Sequence, residues 1–267
     1  MSFAPDEVKA CCASVYGSAA ARWLLGESFH PGGSALTSGL IEALGVGPGA
    51  TIVDVASGPG TSALQAAREA GCDVVGVDLS EESLVAARAA AEAAGLGDRV
   101  RFVAGDAEDL PFPGESFDGA LCECSFCTFP DKPRAAAEVA RVLRADGRLA
   151  LADVTAEPSA LPASLRTLDA WIACLADARP LVETAVLLEE AGFEVETTEA
   201  HDHALVELLD RVDERLRPLE LGLDLLDAAR RAVDRGVLGY GVVVARRRGT
   251  RKPSPEFTAA YQASRRK

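Results

Sequence analysis

A run of β-branched residues gives way to small residues and then to a helical pattern between positions 51 and 61, TIVDVASGPGT. Ile52, Val53 and Val55 favour a central parallel strand that is apolar on both faces. The glycines that follow carry no Cβ, so they leave backbone N–H groups open to a ligand. Asp54 lies beside this opening. The run therefore predicts a strand, a tight turn and a helix that together can hold a nucleoside.

Two further predicted strands also end in an acid. The segment VVGVD closes with Asp78, about twenty residues after the first acid, which is the spacing at which a carboxylate holds ribose hydroxyls. The segment FVAGDA carries Asp106, and a fourth strand begins near Ser116. Strands and alanine-rich helices alternate through this part of the chain, a pattern typical of a parallel, doubly wound α/β sheet. We therefore predict that fold class.

From about residue 40 to residue 154 the chain resembles the class I S-adenosylmethionine-dependent methyltransferases, through its three strand-end acids and its glycine turn. The resemblance implies a mostly parallel, seven-stranded Rossmann-like sheet with S-adenosylmethionine as cofactor. It also implies that Asp54 and the turn lie under the methionine part, Asp78 binds the ribose and Asp106 binds the adenine amino group. The predicted cofactor-binding residues are Tyr16, Asp54, Ser57, Gly58, Gly60, Asp78, Leu79, Asp106, Ala107 and Cys122.

The turn departs from the family pattern at Ala56, where a glycine is usual. This residue predicts a turn that lies tighter against the ligand. The same strand-end geometry could serve a nicotinamide dinucleotide, but a pyrophosphate would need the missing glycine more than a sulfonium does. The departure therefore favours the methyl donor.

Acidic residues outnumber basic ones 41 to 27, which gives a formal net charge of −14. This charge disfavours binding to a nucleic-acid backbone. The start of the chain lacks the pattern of a secretory signal and no apolar run is long enough to span a bilayer, so we predict a cytoplasmic protein that is not bound to a membrane. The seven cysteines are then expected to be free thiols.

The predicted parts are a helical cover at 1–47, a methyltransferase domain at 48–248 with a helical insertion at about 203–235 before the last strand, and a basic, mobile tail at 249–267. In the cover, Asp6 is predicted to cap a helix that runs towards Ala21. Farther on, the patterns predict a helix from Pro133 to a stop at 146–147 and another helix at 164–178. The fifth strand is predicted at 148–154.

Three thiols lie close together directly after the fourth predicted strand, in the segment CECSFC from Cys122 to Cys127. In an open α/β sheet the ligand binds beyond the carboxyl ends of the strands, so this segment is expected to face the reactive end of the cofactor. Zinc is the usual alternative for closely spaced thiols, but a second Cys-x-x-Cys or histidine pair is missing. Buried cysteines that act as small hydrophobes are the other interpretation.

The surroundings of Cys124 and Cys174 resemble those of the arsenite methyltransferases. Cys124 lies six residues before Pro-Asp-Lys at 130–132, and Cys174 lies upstream of Ala-Gly-Phe at 191–193, as two cysteines of that family do. The resemblance implies that both thiols bind trivalent arsenic, with a third thiol from the N-terminal pair Cys11 and Cys12. Cys127 stands where that family has a non-thiol residue and is a candidate substitute ligand. The predicted arsenic ligands are Cys11, Cys12, Cys124, Cys127 and Cys174, and the predicted catalytic residues are Cys124, Cys174 and Cys12.

Trivalent arsenic is soft and prefers thiolate sulfur, and it keeps a lone pair when three thiolates hold it. That lone pair can accept a methyl group in one in-line step, without a general base. One alternative is a small-molecule O-, N- or C-methyltransferase, for which His30 is the candidate base and Asp153 a further site residue. The other is a non-catalytic protein that binds or senses a metalloid. The expected partners are a small-molecule or metalloid substrate and a thiol reductant, with the chain as a monomer or homodimer.

Overall fold

A computed structural model describes residues 3–26 and 28–249. Its strands are β1 (Thr51–Val55), β2 (Asp73–Asp78), β3 (Val100–Ala104), β4 (Phe117–Glu123), β5 (Leu143–Ala156), β6 (Phe193–Ala200) and β7 (Leu238–Arg247). They form one seven-stranded sheet in the order β3-β2-β1-β4-β5-β7-β6. β7 is antiparallel to both of its neighbours, and the other neighbouring pairs are parallel. The predicted doubly wound, mostly parallel Rossmann-like sheet is confirmed.

Helices cover both faces of this sheet. They are α1 (Pro5–Gly17), α2 (Ala19–Leu25), α3 (Gly33–Leu44), α4 (Thr61–Glu69), α5 (Glu81–Ala93), α6 (Lys132–Val142), α7 (Leu168–Ile172), α8 (Leu181–Glu190), α9 (Asp202–Leu216) and α10 (Leu223–Asp234). Short 3₁₀ turns occur at Phe126–Thr128, Ala163–Leu165 and Arg217–Leu219. α9 and α10 occupy the predicted helical insertion and pack against β7.

β1 lies at the centre of the sheet because both of its faces are apolar. Ile52 packs into a core that includes side chains of α3 and α4, while Val53 and Val55 pack into a second core that includes side chains of α6 and α8. All three side chains are fully buried, and each contributes roughly 1.5–3 kcal/mol of stability by leaving water. This burial fixes the end of β1, and with it the turn that follows.

The N-terminal cover differs from its prediction in detail. α1 begins at Pro5, so Asp6 lies in the first turn and Ala4 occupies the capping position without a side-chain bond. Proline suits the first helical position because the N–H it lacks would have no partner there. The helix does not continue towards Ala21, because Ser18 adopts an extended conformation and its hydroxyl accepts a hydrogen bond from the Ala21 N–H at 3.1 Å.

The helix predicted at 164–178 is wrong. This segment holds only the turn Ala163–Leu165 and the short α7, which ends before Cys174. Cys174 has a left-handed backbone conformation, φ +64°, which a right-handed helix cannot accommodate. The helix ends before Cys174, and the Cys174 side chain contacts Cys124, which directly follows β4.

The predicted end of α6 and start of β5 are also wrong. α6 is capped by Asp131, ends at Val142 and passes directly into β5, which begins five residues before the predicted strand at 148–154. Asp146 has φ +66°, and a Cβ on Gly147 would lie 3.0 Å from two carbonyl oxygens. The Asp-Gly pair therefore forms a kink within the strand and does not terminate the helix.

No helix in the described ranges is long and apolar enough to cross a membrane. The predicted basic tail at 249–267 falls, apart from Gly249, outside the described residues.

Candidate active site

A cleft opens at the carboxyl ends of β1, β2 and β4, beneath α1. It encloses about 1060 Å³ of space, part of which is open to solvent. The direction of the chain's progress through the sheet reverses between β1 and β4, and ligands of open α/β sheets bind at such a switch point.

The turn after β1 forms the floor of the cleft. Ala56, Gly58 and Gly60 all have left-handed backbone conformations, with φ of +57°, +51° and +84°. Ala56 thus occupies a conformation that glycine favours, at a cost of roughly 1–2 kcal/mol. A Cβ on Gly60 would lie 2.5 Å from Phe102 Cζ, whereas a Cβ on Gly58 would meet nothing within 4 Å. The turn is therefore tightly packed at Gly60, against Phe102, and has free space at Gly58.

Asp78, the predicted ribose ligand, lies at the end of β2 facing this turn. Its carboxylate oxygens accept hydrogen bonds from the backbone N–H groups of Gly58 and Ser80, both at 2.8 Å. Burial raises the pKa of Asp78, and these hydrogen bonds act against the rise. Each oxygen retains a second lone pair, so the carboxylate is rigidly placed and can still accept from a ligand hydroxyl.

Asp106, the predicted adenine ligand, pairs with a residue that the sequence did not single out. Lys9 Nζ of α1 lies 2.8 Å from Asp106 Oδ2 and also hydrogen-bonds Glu108, whose side chain is almost fully buried. Burial acts to lower the pKa of Lys9, but the hydrogen bonds to the two carboxylates outweigh it and the pKa is raised. The ammonium holds α1 at the end of the cleft where Asp106 lies.

Asp54 and Glu123 place two more carboxylates at the cleft. Asp54 is 2% exposed, and neither its Oδ2 nor Glu123 Oε1 has a hydrogen-bond partner among the residues that the structure describes. The other Glu123 oxygen accepts a hydrogen bond from Thr37 Oγ1 at 3.0 Å and lies 3.5 Å from His30 Nδ1. Burial raises the pKa of Asp54, and the negative charges of Glu123 and Asp78 add to the rise.

His30, the candidate base, is enclosed within this polar group. One ring nitrogen lies 3.1 Å from the Pro31 carbonyl and the other lies 3.4 Å from the Thr37 hydroxyl. The ring lines the cleft but is only 5% exposed. Its nitrogens are thus engaged by protein groups and by Glu123. Glu123 was not predicted as a site residue, and its only signal in the sequence is its position directly before Cys124.

The predicted thiols Cys124 and Cys174 are in contact: Cys124 lines the cleft, and Cys174 is buried against it. Their Sγ atoms are 3.9 Å apart, and Tyr16 Oη lies 3.4 Å from Cys174 Sγ while donating to the Ile172 carbonyl at 2.8 Å. Both cysteines have left-handed backbone conformations, with φ of +50° and +64°. Strained conformations of this kind in non-glycine residues cluster at functional sites.

The remaining predicted thiols differ in their positions. Cys127 forms a side-chain hydrogen bond with Cys174. Cys12 lines the cleft on α1 and lies close enough to Cys174 for the charge of Cys174 to raise the pKa of Cys12. Cys11 is half-buried on the same helix. Cys122, predicted to contact the cofactor, is buried in the core with its Sγ 3.2 Å from Ser125 Oγ. Across residues 3–26 and 28–249, no group of three or more His, Cys, Asp or Glu is arranged to hold a metal ion.

The thiols differ in acidity as well. Hydrogen bonds from Cys124 and Cys127 lower the pKa of Cys174, although burial opposes them, and Tyr16 and the charge of Lys132 lower it further. Burial raises the pKa of Cys12 to about 12, and the charge of Cys174 adds to this rise. Cys174 is thus the favoured thiolate of the group, because the neighbouring thiols stabilise its negative charge.

Lys132 holds together the two segments that carry Cys124 and Cys174. Its buried ammonium donates to the carbonyls of Cys127 and Phe129, at 3.0 and 3.1 Å, and pairs with Asp177. Trp171 adds a second tie, since its Nε1 donates to the Thr128 carbonyl at 3.0 Å. In the sequence, Lys132 was noted only as the last residue of the Pro-Asp-Lys motif at 130–132. In the structure it links the segment after Cys124 to the segment after Cys174.

The profile of a methyltransferase domain matches residues 53–151. The 27-O-demethylrifamycin SV methyltransferase of Amycolatopsis mediterranei (strain S699) is 31% identical over 229 residues, which cover 79% of this chain and 82% of that protein. The chain belongs to the S-adenosylmethionine-dependent methyltransferases. The cleft suits the cofactor of that family, because Asp54 offers a buried carboxylate oxygen that has no partner within the described part of the chain, and the turn at Gly58 leaves space against the backbone.

The names of other relatives state a different acceptor or none. Methyltransferase GfsG of Streptomyces halstedii is 34% identical over 189 residues, covering 70% of this chain and 64% of that protein. The arsenite methyltransferase of Halobacterium salinarum is 34% identical over 150 residues, covering 55% of this chain and 38% of that protein. The chain spans 38–64% of the length of the first four curated relatives that it matches.

Solved structures share the fold. A geranyl diphosphate methyltransferase in complex with geranyl diphosphate and sinefungin superposes with a TM-score of 0.79 at 21% identity, covering 90% of this chain and 99% of that one. The [4+2]-cyclase SpnF gives a TM-score of 0.67 at 26% identity, covering 80% and 81%. Because that protein is described as a cyclase, the fold by itself does not determine the reaction.

Proposed function

We propose that this protein transfers the methyl group of S-adenosylmethionine to trivalent arsenic held by Cys124 and Cys174. The observation that carries the proposal is the contact between these two thiols, of which Cys124 lines the cleft and Cys174 is buried against it. Their sulfurs are 3.9 Å apart, and both backbones are held in left-handed conformations. Ordinary packing of small apolar side chains would not require that strain.

The cofactor supplies an electrophilic methyl group, and the residues of the chain position it. Asp78 would accept from the ribose hydroxyls, Asp106 would accept from the adenine amino group, and the turn at Gly58 and Gly60 would lie under the methionine end. Each carboxylate is already oriented by backbone or side-chain donors. Because these contacts exist before a ligand binds, little reorganisation is needed to hold the cofactor.

The thiol pair suits arsenic by its chemistry. Arsenite exchanges an oxygen ligand for each thiolate that binds, and the proton of each thiol leaves with that oxygen as water. Cys174, whose pKa is lowered by its neighbours, is the favoured first ligand and Cys124 the second. A third sulfur can come from Cys12, across the cleft on α1, or from Cys127. The arsenic lone pair would then need only correct positioning to form a bond to the methyl carbon while the carbon–sulfur bond of the sulfonium breaks and S-adenosylhomocysteine leaves.

A small-molecule O-methyltransferase is the second candidate. It is favoured by the relatives whose names state oxygen acceptors, among them the rifamycin enzyme. An oxygen acceptor usually needs a base, and the buried His30 and Glu123 are the groups at the cleft closest to that role. Both ring nitrogens of His30 are engaged by protein groups, which weakens this candidate.

The experiment is to incubate the protein with arsenite, glutathione and S-adenosylmethionine carrying a deuterated methyl group, and to measure labelled methylarsenic by mass spectrometry. We expect turnover in the wild type and in Cys11→Ser, and its loss in Cys124→Ser and Cys174→Ser. Cys11 is the matched control because it lies on α1 next to Cys12 but is not among the thiols near Cys174.

Three results would contradict the proposal. The first is undiminished methylation of arsenic in both Cys124→Ser and Cys174→Ser. The second is transfer of the label to a hydroxyl-bearing acceptor while arsenite remains unchanged. The third is binding of arsenite without turnover, which would indicate the non-catalytic metalloid-binding alternative.

A further inference from the structure

An apolar strip runs along the exposed face of α8. Val182 and Val186, one helical turn apart, are 68% and 46% exposed. Both line a groove on the side of the sheet away from the cleft opening, and the groove is also lined by Pro130 and Pro133 at the start of α6. This α8 groove encloses about 800 Å³, part of which is open to solvent. Exposed apolar side chains that share a groove mark an interaction surface.

The same face of α8 is acidic at its carboxyl end. Glu189 and Glu190 lie in the last turn of the helix and are exposed, and they follow the two valines at helical spacing. Among the described residues, neither carboxylate has an ion pair or a hydrogen bond, and α8 itself contains no basic residue. Carboxylates in a last turn lie beside the partial negative charge of the helix terminus, where Lys and Arg are favoured. This end of α8 therefore favours a basic partner.

The chain itself brings basic residues to this end of α8. After β7, the N–H of Arg248 donates to the carbonyl of Gly192 at 3.0 Å, and Gly192 lies two residues beyond the end of α8. Arg251 and Lys252 follow within four residues of that contact. Each residue of extended chain spans ~3.3–3.6 Å, so both basic side chains are within reach of the acidic end of α8.

The sequence that follows matches the α8 groove. Residues 254–267 read SPEFTAAYQASRRK, and the opening Ser-Pro-Glu is a pattern that begins helices. Phe257 and Tyr261 are four residues apart. In a helix their Cα atoms are separated by ~6 Å along the axis, the same separation as between the two valines of α8. From 251 to 267 the chain carries five basic residues and one acidic residue, a charge opposite to that of the exposed face of α8.

We infer that the segment at 251–267 covers the α8 groove of its own molecule, with its first two basic residues beside the acidic end of α8 and its two aromatic rings on the apolar strip. The reach favours the same molecule over a second copy. Val186 lies about 6 Å from the end of α8, whereas the nine residues from Arg248 to Phe257 span up to ~30 Å. Neither the cofactor nor the acceptor enters the inference, so it is independent of the proposed function.

The test is hydrogen–deuterium exchange of the 267-residue chain, read by mass spectrometry on peptides from 254–264. We expect these amides to be protected in the wild type. The double variant Val182→Asp with Val186→Asp should speed their exchange by about 10-fold or more, because burying a valine is worth at least a tenfold change in an equilibrium. Val85→Asp is the matched control, since Val85 is 58% exposed on α5 and lies outside the groove. It should leave this exchange unchanged.

Charge reversal separates docking of the segment from a general loss of stability. Glu189→Lys with Glu190→Lys should speed exchange at 254–264 roughly 3- to 10-fold, the effect expected for two exposed ion pairs. Arg251→Glu with Lys252→Glu should have an effect of the same size. The chain that carries all four changes should regain most of the protection, because opposite charges then face each other again.

Exchange of 254–264 at the rate of an unstructured peptide in the wild type would overturn the inference. Protection that survives the double valine variant, or that the fourfold charge reversal does not restore, would overturn it as well. Protection that rises with protein concentration would also contradict it, because that result would place the segment on a second copy of the chain.

Discussion

Replacing Lys9 by methionine should release α1 from the cleft without unfolding the domain. Lys9, Cys12 and Tyr16 are spaced by three and four residues, so they share one face of α1. That face spans the cleft, from Asp106 and Glu108 at one end to Cys174 at the other. The variant removes the ammonium and leaves the buried Glu108 carboxylate without its cation.

The size of the effect follows from the contacts that are lost. A hydrogen bond to a charged group contributes about 1.5–3 kcal/mol, so loss of about 2 kcal/mol should raise the population with α1 detached roughly 30-fold. Cys12 reports this population. With its pKa raised to about 12 by burial, about one thiol in 10,000 is ionised near pH 8, compared with about one in ten at the ordinary value of 9.0. Because the two fractions differ about 1,000-fold, alkylation of Cys12 proceeds mainly through the detached state once more than about one molecule in 1,000 is detached.

The assay is iodoacetamide labelling of the folded protein, resolved by residue with mass spectrometry. We expect labelling of Cys12 to be roughly 30-fold faster in Lys9→Met and close to wild type in Lys9→Arg. Cys72, which is fully buried in the core, serves as the internal control for global unfolding. Equal rates at Cys12 in wild type and Lys9→Met would refute the reasoning, as would a rise at Cys12 that is matched by a rise at Cys72.

Two further predictions concern buried groups near the cleft. Burial, and after it the charge of Cys174, raises the pKa of Asp153 from 3.8 to about 7. The folded state therefore holds this proton more tightly than the unfolded state does. The stability that results is lost as the pH rises from about 4 to about 7. Relative to Asp153→Asn, the wild-type free energy of unfolding in urea should fall by about 4 kcal/mol across that window, and parallel pH profiles would contradict this. Gly60→Ala should destabilise the fold by about 3 kcal/mol, because it combines a left-handed backbone with a Cβ 2.5 Å from Phe102 Cζ. Gly49→Ala has φ +88° but meets nothing within 4 Å, so it should lose only about 1–2 kcal/mol, and equal losses in the two variants would show that packing against Phe102 does not matter.

The sequence predicted those parts of the site that depend on strand ends. Asp54, Asp78 and Asp106 follow apolar strands, and parallel strands bring their carboxyl ends to one edge of the sheet. The three acids therefore line one cleft, as the residues around them do. The contact between Cys124 and Cys174, by contrast, was implied only by a family resemblance, because no periodicity connects residues fifty positions apart.

The contacts that were missed come from elements whose docking depends on tertiary packing. Lys9 lies on a helix far from Asp106 in sequence, and nothing in its local pattern shows which carboxylates it pairs with. The pattern at 164–178 is helical in composition, but the left-handed conformation of Cys174 interrupts it. Glu123 occupies a strand position where an apolar residue would be expected, and such exceptions to a buried pattern often mark a site.

The most direct test of the account is a crystal structure of the protein with S-adenosylhomocysteine and arsenite, with anomalous diffraction recorded at the arsenic edge. We predict one arsenic peak bonded to the sulfurs of Cys124 and Cys174, with a third sulfur from Cys12 or Cys127, on the side that faces the thioether sulfur of the nucleoside. Arsenic bound elsewhere on the chain, or bound to this pair but screened from the thioether sulfur, would contradict the proposed methyl transfer.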